Sequence, residues 1–503
     1  MRSVLVFCLA VAGLSAQAQI PGNPVGPRLG TVLELDVDLP GPGALALLGE
    51  AGYNIGHFSD PSRVTIYATP EERDRLMADG YTVREVARQP APPEFDEGAK
   101  GLGVYHSYTS LTNELLAYAG DHPAIARLVT LGASVSNRQL WALLITDNPD
   151  EEEDEPEFKY VSTMHGDEPV GTEMCHYLID RLLTAYGTDS RVTDLVNETE
   201  IWIVPLMNPD GLESGSRFNA NGIDLNRAFP DFPVDYVGTF HDGDPLDDAG
   251  RQPEVARILR WTADRRFVLS ANFHTGAVVV NYLYDHIPGI PTGVDAPTPD
   301  NALIRALSLE YSTHNPPMFA SLTFPNGVSN GSEWYSITGG MQDWHYRYMG
   351  CIDATIELAV PKKPSQSLLP IYWANNEESM LSYLEAVHRG IRGIVTDADT
   401  GLPLDARITI QGNLQPVFTD PDVGDYYRLL LPGAYTVVVE VPGYFTQTIP
   451  GVVVSAGSAT RVDVEMNVIP LPAARPIALV LTGVSLVAAA GLIRRKRWRA
   501  NRG

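Results

Sequence analysis

Phe158-Lys-Tyr-Val-Ser-Thr-Met-His165-Gly-Asp-Glu168 carries a strand-like apolar run into a histidine and a glutamate that can grip one metal ion. Gly166 permits a sharp turn after His165, and Pro169 suits the first turn of the helix predicted from Val170 to Thr184. The pair needs a third ligand. Far downstream, Val268-Leu-Ser-Ala-Asn-Phe-His274 again delivers a histidine at the carboxyl end of a strand-like stretch, beside Thr275 and Gly276. His165, Glu168 and His274 form a two-histidine, one-carboxylate set. Catalytic zinc sites use three protein ligands of this kind and leave a fourth position to water, whose pKa falls toward about 7.

Outward from this stretch, helical and strand-like segments alternate from Tyr105 to about His388. That alternation predicts an α/β/α sandwich with a mixed, largely parallel central sheet over 104–388. Ligands of such folds gather at the carboxyl ends of strands, where both histidines fall. The acidic run Glu151 to Glu155 reads as a solvated loop. After Gly390 the pattern turns to short strands with frequent turns: Ile391 to Thr396, Ala406 to Gln411, Tyr426 to Leu431, Ala434 to Val441, Gly451 to Val454 and Thr460 to Met466. These predict a small all-β sandwich over 390–467. Ahead of the central unit, residues 30–88 alternate strands (Thr31 to Val37, Arg63 to Ala68) with helices (Gly43 to Ala51, Pro70 to Asp79), a small α/β unit. A proline-rich acidic linker, 89–103, follows it.

The chain has 503 residues and a formal charge of -26, from 62 acidic and 36 basic residues. This length accommodates several domains, and the acidic balance argues against a nucleic-acid partner. Arg2, the apolar stretch Val4 to Leu14 and Ala16-Gln-Ala18 read as a signal peptide over 1–18. Its removal takes away Cys8 and leaves Cys175 and Cys351, so the fold cannot depend on a disulfide framework. Residues 477–493 form an uncharged run long enough to span a bilayer, with a basic tail at 494–503 expected to remain cytoplasmic. Pro470, Pro472 and Pro476 before that run also resemble carboxyl-terminal sorting signals that are cut during surface export. The expected localisation is exported and anchored, periplasmic or extracellular, with a membrane contact through the terminal segment unless it is processed.

Three further segments supply groups useful to a peptide hydrolase. Gly215-Ser-Arg217-Phe-Asn-Ala-Asn-Gly-Ile-Asp-Leu-Asn226-Arg227 places two guanidinium forks, which pair with carboxylates, near an asparagine. Gly331-Ser-Glu-Trp-Tyr335 leads to Gly-Gly-Met-Gln342-Asp-Trp, and Ala354-Thr-Ile-Glu357-Leu sets a carboxylate inside an apolar strand, where burial without purpose is costly. With these motifs in this order, residues 105–388 resemble the zinc metallocarboxypeptidases, specifically the regulatory branch that includes carboxypeptidases D, E, M and N. The segment after them resembles that branch's transthyretin-like domain. The resemblance implies that His165, Glu168 and His274 hold one zinc ion and that Glu357 takes a proton from the attacking water and returns it to the leaving amine. It further implies that Arg217 stabilises the oxyanion, a role worth roughly 2.7–4 kcal/mol. Asn226, Arg227 and Tyr335 match the clamp on the substrate's terminal carboxylate, which makes the activity exopeptidase.

Asp285, after Val278-Val-Val-Asn-Tyr-Leu-Tyr, matches the branch's acidic pocket residue, and Gln342 its polar neighbour; together they imply removal of carboxyl-terminal Lys or Arg from peptides or proteins. Asp167, Thr275 and His345 depart from the branch's usual residues and add charge or bulk near the site. His176, His286 and His314 read as surface or helix-packing histidines. Residues 30–88 loosely resemble propeptides that cover the active site of some metallocarboxypeptidases, and a permanent accessory domain is the alternative. Two other functions compete: a zinc amidase or peptidase trimming cell-wall peptides, and a non-catalytic surface adhesion module. Intact Glu357 and Arg217 argue against the last.

Overall fold

The computed structural model describes residues 32–86, apart from 42 and 61, together with 101–231 and 250–470. The signal-peptide, most linker, terminal apolar and basic-tail expectations therefore lie outside the described residues. No helix among the described residues is long and apolar enough to cross a membrane.

The amino-terminal unit comprises β1 (Leu33–Asp38), α1 (Ala44–Glu50), β2 (Asn54–Asp60), β3 (Arg63–Ala68), α2 (Pro70–Ala78) and β4 (Val83–Glu85). Its sheet runs β2-β3-β1-β4 and is antiparallel. Leu35, Val37, Ile55, Val64, Ile66 and Leu76 form its core. Thr69 caps α2 through a capping box with Glu72, which satisfies two otherwise orphaned N–H groups. The sequence patterns predict β1, β3 and both helices but miss β2 and β4. Strand β2 reads Asn-Ile-Gly-His-Phe-Ser-Asp, whose glycine and polar residues dilute any strand signal.

The central unit contains α3 (Tyr108–Asp121), β5 (Ala126–Ala133), β6 (Gln139–Ile145), β7 (Glu157–Ser162), α4 (Val170–Ala185), α5 (Ser190–Asn197) and β8 (Glu200–Val204). It continues with α6 (Pro253–Ala263), β9 (Phe267–His274), β10 (Val278–Tyr282), α7 (Asn301–Thr313), β11 (Val328–Asn330), β12 (Ala354–Leu358) and α8 (Leu369–Glu385). The eight strands follow the order β11-β10-β12-β9-β7-β8-β6-β5. Strands β12, β9, β7 and β8 are mutually parallel, while β10, β6 and β5 add antiparallel pairings. Every residue of β7, β8, β9 and β12 is buried, which explains why these strands read as nearly continuous apolar runs. One apolar cluster, including Tyr160, Leu178 and Phe273, packs beneath α4 and α8; a second, including Val161, Trp202 and Trp344, fills the opposite face. The chain leaves β7 toward β8 on one side and later returns through β9 on the other. The crevice between β7 and β9 is thus a topological switch point, where ligands of open α/β sheets bind.

From Gly390 the chain builds two packed sheets, an antiparallel β15-β14-β17-β18 and a mixed β16-β13-β19 with β20 against β13, in which β13 pairs antiparallel with β16 and parallel with β19 and β20. Their strands are β13 (Gly390–Asp397), β14 (Arg407–Ile410), β15 (Asn413–Phe418), β16 (Asp425–Arg428), β17 (Gly433–Glu440), β18 (Gln447–Val454), β19 (Ala459–Arg461) and β20 (Val464–Met466). The expected sandwich gains β15, masked in the sequence by Pro416 and its polar neighbours. The segment Thr460 to Met466 divides into β19 and β20. Arg428, 2 % exposed, reaches from the sandwich to both oxygens of Asp300 at 2.8 and 3.0 Å. The acidic run is not simply solvated, because Asp154 accepts hydrogen bonds from Tyr427 and Arg461 of the sandwich.

Candidate active site

His165 lies in the turn after β7, Glu168 lies just before α4, and His274 ends β9. The turn closes through the Glu168 N–H, which donates to the His165 carbonyl at 3.1 Å. Gly166 is required here by crowding: a Cβ would stand 2.0 Å from the Gly211 carbonyl carbon. The expected sharp turn is present, and the close backbone approach is what excludes a side chain at Gly166.

The three ligand groups converge. His165 Nδ1 and His274 Nδ1 are 3.0 Å apart, His274 Nδ1 is 3.1 Å from Glu168 Oε2, and His165 Nδ1 is 3.2 Å from Glu168 Oε1. Zinc bonds of about 2.0–2.2 Å in tetrahedral geometry place neighbouring ligands roughly 3.3–3.6 Å apart, so this donor set needs to open by only a few tenths of an ångström to fit such an ion. His165 Nε2 faces Asp224 Oδ1 at 3.0 Å, which assigns the ring proton to Nε2 and turns the Nδ1 lone pair toward the trio. His274 Nε2 is buried with no hydrogen-bond partner among the described residues. Arg217 also touches the set, donating from Nη1 to His165 Nδ1 at 3.0 Å and Glu168 Oε1 at 3.1 Å, while its Nε donates to Asp224 at 3.0 Å. Burial opposes ionisation of Glu168, but His165 and Lys362 outweigh it and hold the carboxyl well below its ordinary range. Asp224 is likewise held down against its burial, chiefly by Arg217 and His165.

Glu357 sits in β12 directly beside His274 of β9 in the sheet register. It is 8 % exposed, and its Oε2 has no partner among the described residues. Burial, reinforced by the charge of Glu168, pushes its pKa up to about 7. A cation on the trio would draw that value down.

A cleft of about 430 Å³ joins these groups to Asn226, Arg227, Asp285 and Tyr335. Asn226 Oδ1 accepts from the Met341 N–H at 3.0 Å, which fixes the side chain against the Gly339-Gly340 turn. Asp285 is 2 % exposed and accepts from Gln342 at 2.7 Å and Asn281 at 3.1 Å. Burial pushes its pKa up to about 6, despite those bonds and the nearby Arg227. All ten site residues expected from the sequence thus fall in or against one crevice.

Strand β2 also enters it. Arg227 Nη2 donates to the Ile55 carbonyl at 2.8 Å, and the Tyr335 hydroxyl donates to the Gly56 carbonyl at 3.1 Å. The Lys362 ammonium donates to the Tyr67 hydroxyl at 2.7 Å and to Asp167 at 2.8 Å, and the Arg217 guanidinium lies 4.9 Å from the Tyr67 ring centre.

Asp224, Lys362 and Tyr67 are the site residues that sequence reasoning missed. Asp224 had a readable signal, an acid between Ile223 and Leu225 within the arginine-rich motif; Lys362 and Tyr67 are brought in only by the fold. Two departures from the branch pattern are absorbed locally: Asp167 pairs with Lys362, and the Thr275 hydroxyl donates to the Lys362 carbonyl at 2.8 Å. The third is corrected by the structure. His345 is fully buried in the Trp344 and Asp353 environment and does not line the cleft. Cys175 and Cys351 are both buried and free. His286 bonds Ser336 and His314 caps α7, as packing residues do, whereas His176 occupies a second cluster of possible metal ligands.

A parallel-cored α/β/α sheet with a histidine-carboxylate trio at its switch point defines a metallohydrolase. Residues 111–379 match the zinc carboxypeptidase family model, and residues 390–467 match that of the carboxypeptidase regulatory-like domain. The chain belongs to the zinc carboxypeptidase family, whose metal is zinc. It is 40% identical to rat (Rattus norvegicus) carboxypeptidase D over 68% of this chain and 25% of that protein. It is 38% identical to the human carboxypeptidase N catalytic chain over 72% of this chain and 86% of that one, and 38% identical to mouse (Mus musculus) carboxypeptidase M over 69% and 81%. The chain therefore spans about a quarter of the length of the carboxypeptidase D relatives it matches. The fold is shared with carboxypeptidase A from Helicoverpa armigera, with a TM-score of 0.53 and 17% identity over 72% of this chain and 99% of that one.

Proposed function

We infer that this chain is an exported zinc carboxypeptidase that removes carboxyl-terminal Lys or Arg from peptides or proteins. The observation that carries this reading is the convergence of the His165, Glu168 and His274 ligand atoms within about hydrogen-bond distance beside Glu357, in a cleft that Asp285 also lines. Zinc held there supplies a Lewis acid and lowers the pKa of water. Glu357 accepts the proton of the attacking water and passes it to the departing amine, a transfer suited to a buried carboxylate beside His274 whose Oε2 has no partner among the described residues. Arg217, fixed by Asp224, offers its fork to the developing oxyanion. Asn226, Arg227 and Tyr335 receive the terminal carboxylate, and an internal peptide bond offers no such anion. Asp285, oriented by Gln342 and Asn281, pairs with the substrate's cationic side chain.

The amino-terminal unit acts in this reading as an inhibitory propeptide. Its support is the pair of main-chain carbonyls, Ile55 and Gly56, that take up the hydrogen bonds of Arg227 and Tyr335. Export and anchoring rest on the sequence of 1–18 and 477–493. The test is a library of peptides with varied last residues, incubated with and without chelator. Chelator-sensitive release of Lys and Arg is expected; release of alanine in preference favours the cell-wall reading, and chelator-insensitive cleavage refutes both.

A further inference from the structure

A second group of ligand-type side chains lies where α3 and α4 pack beside the segment leading into α3. His106, Glu173 and His176 are all buried, and one ligand atom from each lies within 4.8 Å of the others. The two imidazole centres are 4.6 Å apart. Glu173 is fully committed to His106: its Oε1 accepts the His106 backbone N–H at 2.9 Å and its Oε2 pairs with Nδ1 at 2.8 Å. That pairing places the ring proton on Nδ1 and leaves the His106 Nε2 lone pair without a partner among the described residues. His176 is 0 % exposed, and neither of its ring nitrogens has a hydrogen-bond partner there. A neutral imidazole always presents one donor and one acceptor, so burying both unpaired is costly and calls for an explanation. Glu114 Oε2, on α3, stands 3.8 Å from His176 Nε2, close enough for a shared cation and too far for a hydrogen bond.

We propose that His106, His176 and Glu114, with Glu173 orienting His106, bind a second divalent transition-metal ion of zinc's class between α3 and α4. A carboxylate–histidine–metal relay is the usual way a protein fixes a ligating tautomer, and His106–Glu173 has that form. Imidazoles combined with carboxylates suit zinc rather than calcium or magnesium, which favour oxygen donors throughout. None of these four residues lines the cleft, and the role of the ion is to tie α3 to α4. The proposal is independent of the reading of the His165, Glu168 and His274 trio.

The test uses the full chain loaded with Zn2+ in the presence of millimolar Ca2+ and Mg2+, which occupy carboxylate-only sites. Metal content after gel filtration is expected at two zinc equivalents per chain. His274→Ala should retain one, and His176→Leu should retain one while keeping wild-type kcat/KM on an arginine-terminated peptide. Glu114→Gln, at a partly exposed position, should weaken the second ion at least tenfold and lower the thermal midpoint only when zinc is present. A wild-type chain with one equivalent, lost in His274→Ala, overturns the proposal, as does a folded His176→Leu protein that still binds two.

Discussion

Separating the amino-terminal unit from the cleft should release activity. The perturbation is a specific protease site introduced between residues 89 and 100, cut after purification, with the freed unit removed by gel filtration. Two of its contacts involve charged donors, Arg227 to the Ile55 carbonyl and Lys362 to the Tyr67 hydroxyl, at 2.8 and 2.7 Å. Hydrogen bonds to charged groups contribute about 1.5–3 kcal/mol each, and the neutral Tyr335 to Gly56 bond about 0.5–1.5 kcal/mol. A closed state favoured by about 4 kcal/mol leaves roughly one molecule in a thousand open, and apparent substrate affinity falls by that fraction. The assay is kcat/KM for an amino-blocked tripeptide ending in arginine, before and after cutting, and an increase of about 10³-fold is expected. Gly56→Ala should raise activity in the uncut chain, because the new Cβ would stand 2.4 Å from Tyr67 Cε2 and dislodge β2. Equal kcat/KM before and after removal, within twofold, refutes the inhibitory role and leaves an accessory domain.

Glu357→Gln should keep its zinc while kcat falls about 10²–10⁴-fold, read by metal analysis alongside turnover. Asp285→Ala should lower kcat/KM for Arg-terminated peptides about 10–100-fold relative to Leu-terminated ones, since one charge-assisted contact is lost. Because Asp285 must be ionised to pair with a cation and burial lifts its pKa to about 6, the Arg-over-Leu preference should decline as pH falls through 6; a preference constant down to pH 5 contradicts the pocket assignment. Asp224→Ala frees the His165 ring and should weaken zinc about 10–100-fold in competition with a chelator. Finally, burial raises Glu155 and Asp425 to about 8. Between pH 6.5 and 8 the folded chain therefore holds protons that the unfolded chain has already lost, and the sign of linkage makes stability fall as pH rises through this window. Calorimetry should show a lower thermal midpoint at pH 8 than at pH 6.5.

The parallel strands and their ligand-bearing ends were legible because a buried strand reads as an apolar run, and a charged or imidazole group within or after it stands out: His165, His274 and Glu357 are all of this kind. Strand β2 was not legible, since its role depends on main-chain oxygens and its side chains are a mixture without period. Lys362 and Tyr67 were invisible for a related reason, as they meet only across the contact between the amino-terminal and central units. His345 shows the converse error: adjacency in sequence to a site motif placed it near the cleft, while helical geometry turned it into the core with Asp353. The sandwich was readable strand by strand except at β15, yet nothing in its alternation announced Arg428, whose charge is spent on Asp300 across the domain boundary.

The oxygens that occupy Arg227 and Tyr335 belong to peptide bonds and carry no net charge, so they imitate a carboxylate poorly. A free peptide terminus offers a full anion to the same guanidinium and would win any contest on equal terms. On the proposed inhibitory reading, the contest is unequal only because the chain holds its own rival at an effective concentration of the order of millimolar, as short connections do. If the unit is the inhibitor proposed above, severing it makes it an ordinary solute, and dilution alone tips the balance toward substrate.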